Sequence, residues 1–237
     1  MKARKRKKRR SSRTNNAPAP AVGAGVETAR RAATARRKLA KRALHVGNVL
    51  LLLLTADWVL QETGVEAHRV VAVSAYMLQG AGALLLAFLH ERPSATGIGI
   101  DASAQALAVA QRNSAALGLA ERAQFREASW LDSGWADALG RFDLVLCNPP
   151  YVETGARLDP DVRDYEPASA LFAGPEGLDD YRAIIPQLGK LLAPGGVAVL
   201  EIGAAQGQAV RALASESGYT VALRRDIGGR DRALILT

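Results

Sequence analysis

From residue 70 to the C-terminus, short apolar segments alternate with segments of helical character. This alternation restricts the possible folds more than any other feature of the chain. Strands separated by helices pair mostly in parallel, and the sheet that they form is covered by helices on both faces. The last two strands are joined by a loop alone, which indicates an antiparallel edge. The sequence therefore predicts a doubly wound α/β sheet.

The predicted helices are bounded by residues that begin, bend or end helices. Ser103 is placed to cap one helix and Gly118 to stop it. Pro186 predicts a kink in a later helix, and the Ala-Pro-Gly-Gly run at 193–196 predicts its end. The predicted strands cover residues 70–73, 96–101, 123–127, 142–147, 197–202, 219–224 and 233–236; the predicted helices cover residues 83–90, 103–117, 179–192 and 205–217.

The basic character of the chain is confined to its first segment. Residues 1–42 contain sixteen Lys and Arg and one acidic residue, whereas the remainder contains fifteen basic and twenty-two acidic residues. The predicted organisation is a basic disordered tail and linker at 1–26, a helical extension at 27–69 and an α/β domain at 70–237. Residues 2–13 could bind RNA or ribosomal phosphates, although a solvated tail is an equally good interpretation.

Residues 70–89 contain no charged side chain, and twenty residues are enough to span a membrane. Gln79, Gly80 and Gly82 interrupt this run, and we therefore favour a buried strand, a glycine turn and a helix over a membrane span. Gly80 and Gly82 would let a ligand approach the backbone at the start of the helix. A plain tight turn accounts for the two glycines equally well.

Two side chains follow predicted strands at the edge where α/β sheets bind ligands. Asp101 ends the second strand, where a carboxylate can accept hydrogen bonds from the ribose of a nucleotide-like cofactor; a carboxylate that only begins the next helix is the alternative. Trp130 follows the third strand, where its indole could lie beside an adenine ring or simply cap the core.

Asn148, Pro149, Pro150 and Tyr151 form the most specific motif, directly after an apolar strand. Two successive prolines end the ladder and stiffen the backbone. The Asn side-chain oxygen and a proline carbonyl can then accept the two hydrogens of an amide or amino NH₂ group, while Tyr151 presses on the planar group. Such a site works by positioning and electrostatics, without a general base. The motif predicts methylation of a planar nitrogen.

From about residue 80 onwards, the chain resembles the catalytic domain of the HemK/PrmC family of peptide chain release factor glutamine methyltransferases. The stretch Arg141 to Leu144 leads into the Asn-Pro-Pro-Tyr motif as it does in that family. The other matching pieces, in order, are Val162 to Pro167, Gly174 to Leu178, Tyr181 with Arg182, Leu192 to Gly196, Glu201 to Gly203, Gln206, and Asp226 to Arg232.

The resemblance implies a Rossmann-like class I methyltransferase fold and S-adenosylmethionine as cofactor. It also implies transfer of a methyl group to the glutamine of a Gly-Gly-Gln loop in peptide chain release factors. The residues implied to bind the cofactor are Gly80, Gly82, Asp101, Trp130 and Asn148; those implied to bind substrate and catalyse transfer are Asn148, Pro149, Pro150 and Tyr151. The alternatives are a nucleic-acid adenine N6-methyltransferase and an impaired relative that binds nucleic acid or the ribosome.

The resemblance does not extend to the N-terminal third. The family's glycine turn has an acidic residue and a third glycine, and counting back from Gly82 the corresponding positions here are Tyr76 and Leu78. Alignment on residues 69–71 instead places Ala72 at the acidic position, so the acidic residue is missing in both cases. Residues 1–79 could be a replacement domain, the product of a frame error or an Arg-rich organelle-targeting arm. We otherwise expect a cytoplasmic protein.

Three further features have simple structural interpretations. Cys147 is the only cysteine, so an intrachain disulfide is excluded, and we expect it to pack in the core. The three histidines lack metal-ligand spacing, and no metal site is predicted. Glu201 ends a strand near the expected site, where it could orient a substrate loop or serve a structural hydrogen bond.

Overall fold

The computed structural model describes residues 50–74, 80–158 and 168–237. The basic segment at 1–26, the predicted extension before residue 50 and the positions Tyr76 and Leu78 of the predicted glycine turn lie outside the described residues. The stretch from Val162 to Pro167 also lies outside them.

The described residues form a seven-stranded sheet in the order β3-β2-β1-β4-β5-β7-β6. Five neighbouring strands run parallel, and β7 is antiparallel to both of its neighbours, which confirms the predicted edge. The strands are β1 (Arg69–Ser74), β2 (Thr96–Asp101), β3 (Ala123–Glu127), β4 (Phe142–Asn148), β5 (Leu192–Glu201), β6 (Val221–Arg225) and β7 (Asp231–Leu236).

Helices cover both faces of this sheet. They are α1 (residues 50–63), α2 (Gly80–Glu91), α3 (Ala104–Ala116), α4 (Asp179–Ile184), α5 (Leu188–Leu191) and α6 (Gly207–Glu216). A 3₁₀ turn at Ile185–Gln187 separates α4 from α5 and contains Pro186, so the predicted kink is confirmed. The predicted cap is also confirmed, because the Ser103 side chain accepts a hydrogen bond from the Ala106 amide and Gly118 has a φ of +69°.

The predicted end of this helix is confirmed to within one residue, but the next strand begins at Leu192 and not at residue 197 as predicted. The helical stretch ends at Leu191, and the Ala-Pro-Gly-Gly run lies within β5. Phe142 pairs with Leu192, whereas Leu144 pairs with Val197, so the run forms an irregularity that takes up the extra residues of β5. Proline and glycine are tolerated at such a bulge because the ladder is already interrupted there.

The predicted domain boundary at residue 70 is also corrected by the structure. One face of α1, formed by Leu52, Ala56, Val59 and Leu60, is buried in the same cluster as side chains of β1, α2, β4, β5 and β7. The spacing of these four residues matches one face of a helix. Helix α1 therefore belongs to the α/β domain, which includes the described chain from residue 50 onwards.

The described parts of the uncharged run at 70–89 lie in β1 and α2, so the predicted strand and helix are confirmed. Val70 to Val73 are fully buried in the centre of the sheet, and the buried face of α2 packs on it through Leu84, Leu85 and Leu89. Within the described ranges, no helix is long and apolar enough to cross a membrane.

Candidate active site

The carboxyl ends of the five parallel strands meet in one row. The strand registers place the following residues level with one another across β3, β2, β1, β4 and β5: Glu127, Asp101, Ser74, Asn148 and Glu201. The chain order reverses between β1 and β4, because successive strands run outwards in opposite directions from this point. Open α/β sheets bind ligands in the crevice at such a switch point. The row therefore locates the candidate active site.

Asp101 lies in this row and is buried, with only 2% of its surface exposed. Its Oδ1 atom accepts a hydrogen bond of 2.8 Å from the Ser103 amide, so the carboxylate stabilises the turn that leads into α3. A carboxylate can accept several hydrogen bonds, and the contact with Ser103 is compatible with a second role. The binding of a cofactor ribose by Asp101 stays a prediction.

Trp130 is buried in the core beside the row. Its indole Nε1 donates a hydrogen bond of 2.5 Å to Asp180 Oδ1 on α4. Burial raises the pKa of the Asp180 carboxyl, and the bond from Trp130 opposes this effect. The structure thus supports the core interpretation of Trp130, and its predicted contact with an adenine ring stays a prediction.

Gly82 does not lie in a turn, contrary to prediction. Helix α2 begins at Gly80, and Gly82 lies inside it. A Cβ atom on Gly82 would lie 2.5 Å from the Ala110 Cβ of α3, so this glycine allows the two helices to pack closely. Gly80 begins the helix beside the switch point, where backbone amides can face a ligand, and its predicted role in cofactor binding stays a prediction.

The Asn-Pro-Pro-Tyr motif leaves the sheet at the centre of the row. Asn148 is the last residue of β4 and is half-buried, whereas Pro149 and Pro150 are buried and have no ladder partner. The two prolines end the strand as predicted. The motif thus lies at the end of the sheet, beside the switch point, and its predicted role in binding substrate stays a prediction.

Tyr151 is held through both its backbone and its side chain. The Gln206 side-chain Nε2 donates to the Tyr151 carbonyl at 2.9 Å, and the Tyr151 hydroxyl donates to Glu201 Oε1 at 3.3 Å. The next residue, Val152, exchanges backbone hydrogen bonds of 2.8 and 2.9 Å with Leu171 and Ala173. These contacts fix the chain on the C-terminal side of the motif.

Glu201 is the titratable group with the most unusual environment in the row. Only 1% of its surface is exposed, and burial raises its pKa to about 7, against the opposing effects of the Tyr151 hydrogen bond and the Arg232 charge. Burial likewise raises the pKa of Tyr151, so its hydroxyl stays protonated and donates. The buried Tyr181 hydroxyl donates to the Glu201 carbonyl at 2.8 Å, which fixes the end of β5 from α4.

The residue pattern alone did not reveal that Glu201 and Gln206 both contact the motif. A carboxylate at the end of an otherwise apolar strand was the available signal for Glu201. For Gln206, the only signal was its place in the family resemblance, because its contact with the motif joins residues that are 55 apart in sequence. Among the described residues, no group of three His, Cys, Asp or Glu side chains is arranged to hold a metal ion.

A family model described as a methyltransferase domain matches residues 79–200, just over half of the chain. The strand order and the site at the switch point agree with this match. The fold is the Rossmann-like fold of class I S-adenosylmethionine-dependent methyltransferases, and the chain belongs to the methyltransferase domain family. Among solved structures, the ribosomal protein L11 methylase from Lactobacillus delbrueckii subsp. bulgaricus has a TM-score of 0.54 at 19% identity, covering 80% of this chain and 76% of that chain.

Curated relatives named release factor glutamine methyltransferase confirm the family resemblance. The protein from Caulobacter vibrioides is 45% identical over 66% of this chain and 54% of its own length. The protein from Cereibacter sphaeroides is 47% identical over 65% of this chain and 55% of its own length. The chain thus spans about half the length of the curated relatives that it matches.

Proposed function

We propose that this chain transfers a methyl group from S-adenosylmethionine to the side-chain amide nitrogen of a glutamine in peptide chain release factors. The observation that carries this proposal is the position of the Asn-Pro-Pro-Tyr motif at the end of β4, beside the switch point of the sheet. The names of the curated relatives support glutamine as the substrate.

The residues around the switch point fit the proposed cofactor. The buried Asp101 carboxylate ends β2 and can accept hydrogen bonds from ribose hydroxyls. Helix α2 begins beside β1, where its first amides can face a charged ligand. When bound, S-adenosylmethionine supplies an electrophilic methyl group, and the protein supplies orientation.

The motif accounts for the orientation of the substrate. The Asn148 side-chain oxygen and a proline carbonyl would accept the two amide hydrogens of the glutamine, which directs its nitrogen at the methyl carbon. Tyr151 would press on the amide plane, and its contacts with Glu201 and Gln206 limit its movement. Correct alignment of this kind can account for a large part of the rate enhancement.

The test is methyl transfer by the purified chain to an intact release factor. We expect Asn148→Ala to lower the rate by about 100-fold or more, with an unchanged melting temperature, since one of two positioning acceptors is lost. The matched control is Asn113→Ala, because Asn113 is exposed on α3. Full activity of the Asn148 variant would overturn the proposed mechanism.

Two further measurements separate the proposed substrate and cofactor from the alternatives. A release factor with Ala in place of the Gln of its Gly-Gly-Gln loop should accept no methyl group, whereas transfer to an adenine-containing oligonucleotide would favour a nucleic-acid methyltransferase, because adenine presents a similar amino group. Calorimetric titration with S-adenosylmethionine tests the cofactor, and no binding would favour an impaired relative.

We also propose that residues 2–13, which contain nine Lys and Arg and no acidic residue, contact ribosomal RNA phosphates in the cytoplasm. The charge asymmetry between residues 1–42 and the rest of the chain supports this proposal. Deletion of residues 2–13 should weaken ribosome binding and reduce its salt dependence, whereas unchanged sedimentation with ribosomes would refute the contact.

A further inference from the structure

The Gln206 side chain joins three separate segments beside the motif. Its Nε2 donates to the Tyr151 carbonyl at 2.9 Å and to the Gly177 carbonyl at 3.1 Å, and its Oε1 accepts from the Gly203 amide at 3.1 Å. Both hydrogens of the amide and its oxygen are therefore engaged. The contacts connect the Asn-Pro-Pro-Tyr motif, the segment before α4 and the connection between β5 and α6.

Two glycines make this arrangement possible. A Cβ atom on Gly177 would lie 2.4 Å from the Tyr151 carbonyl oxygen, and the φ of Gly177 is +68°. A Cβ atom on Gly203 would lie 2.7 Å from Gln206 Oε1. The three segments are thus packed so closely around the Gln206 amide that small displacements of that amide would be transmitted to Tyr151.

The connection between β5 and α6 holds Tyr151 from two directions. Gln206 fixes its backbone carbonyl, and Glu201, at the other end of the same connection, accepts a hydrogen bond from its hydroxyl. We infer that Gln206 is a positioning residue, which keeps Tyr151 and the preceding prolines in the geometry needed to align the acceptor amide. The part of this inference that concerns catalysis rests on the proposed function.

The variant Gln206→Glu tests the inference with little change in side-chain volume. A carboxylate retains the acceptor for the Gly203 amide, but it cannot donate to the two carbonyls. The matched control is Gln208→Glu, because Gln208 is exposed two residues further along α6. The comparison thus separates the lost donor contacts from the added negative charge.

We expect Gln206→Glu to lower kcat by about 100-fold, the size of effect that a misplaced reacting group can cause. The KM for the release factor and the Kd for S-adenosylmethionine should stay close to those of the unsubstituted protein, and Gln208→Glu should change none of these constants. A purely structural role would lower the melting temperature while kcat per folded molecule stayed unchanged, and this result would overturn the inference.

A second readout does not depend on methyl transfer. The protein is labelled with 3-fluorotyrosine, and the ¹⁹F resonance of Tyr151 is assigned with a Tyr151→Phe variant. We expect this resonance to shift or broaden in Gln206→Glu and to stay unchanged in Gln208→Glu. If the unsubstituted protein transfers no methyl group, the proposed function fails while the resonance still decides the positioning role. An unchanged Tyr151 resonance in Gln206→Glu would refute the positioning role of Gln206.

Discussion

The buried carboxyl of Glu201 makes the stability of the protein depend on pH. Its pKa is about 7 in the folded protein and 4.5 in its ordinary state, so the folded protein binds this proton more tightly than the unfolded chain does. The resulting stabilisation is complete below pH 4.5 and is lost as the pH rises to about 7. At about 1.4 kcal/mol per pH unit, the loss amounts to about 3 kcal/mol.

The variant Glu201→Gln removes this titration. The amide has nearly the same volume, and its oxygen can still accept a hydrogen bond from the Tyr151 hydroxyl. We therefore expect the difference in unfolding free energy between variant and unsubstituted protein to move by about 3 kcal/mol in favour of the variant between pH 4.5 and pH 8. Urea denaturation at a series of pH values across this range measures the difference directly.

The control for this series is Glu216→Gln, because Glu216 is exposed at the end of α6. The difference in unfolding free energy between this variant and the unsubstituted protein should change little with pH. If the Glu201 variant instead lost stability relative to the unsubstituted protein as the pH rose, the Arg232 charge and the Tyr151 hydrogen bond would outweigh burial. That result would refute the assigned cause of the raised pKa.

Three further predictions concern the core. Leu52→Ala should cost about 2–5 kcal/mol of unfolding free energy in urea denaturation, because Leu52 is fully buried, whereas exposed Leu54→Ala should cost little; equal effects would contradict the place of α1 in the domain. Gly82→Ala should cost about 1–3 kcal/mol through its clash with Ala110, and Ala110→Gly should restore much of this loss in a thermal melt; a simple sum of the two effects would refute the contact. Cys147, which is buried and has a raised pKa, should react with a thiol reagent only on unfolding, and reaction in the native state would disprove its burial.

The sequence by itself determined most of the α/β architecture. Strand and helix signals depend on local periodicity and on capping residues such as Ser103 and Gly118, so they can be interpreted without knowledge of distant contacts. The Asn-Pro-Pro-Tyr motif was identifiable for the same reason, because its four residues are contiguous and follow an apolar strand. The family resemblance added the proposed substrate and cofactor.

Only the tertiary structure decided which distant residues meet. Strand registers, which depend on packing across the whole sheet, place Asp101, Asn148 and Glu201 in one row. Gly82 lies inside a helix rather than in a turn, and it packs closely against Ala110 of the neighbouring helix. The contacts of Tyr151 with Glu201 and Gln206 join segments fifty or more residues apart, and no local pattern encodes such pairings, since they arise only when the chain folds.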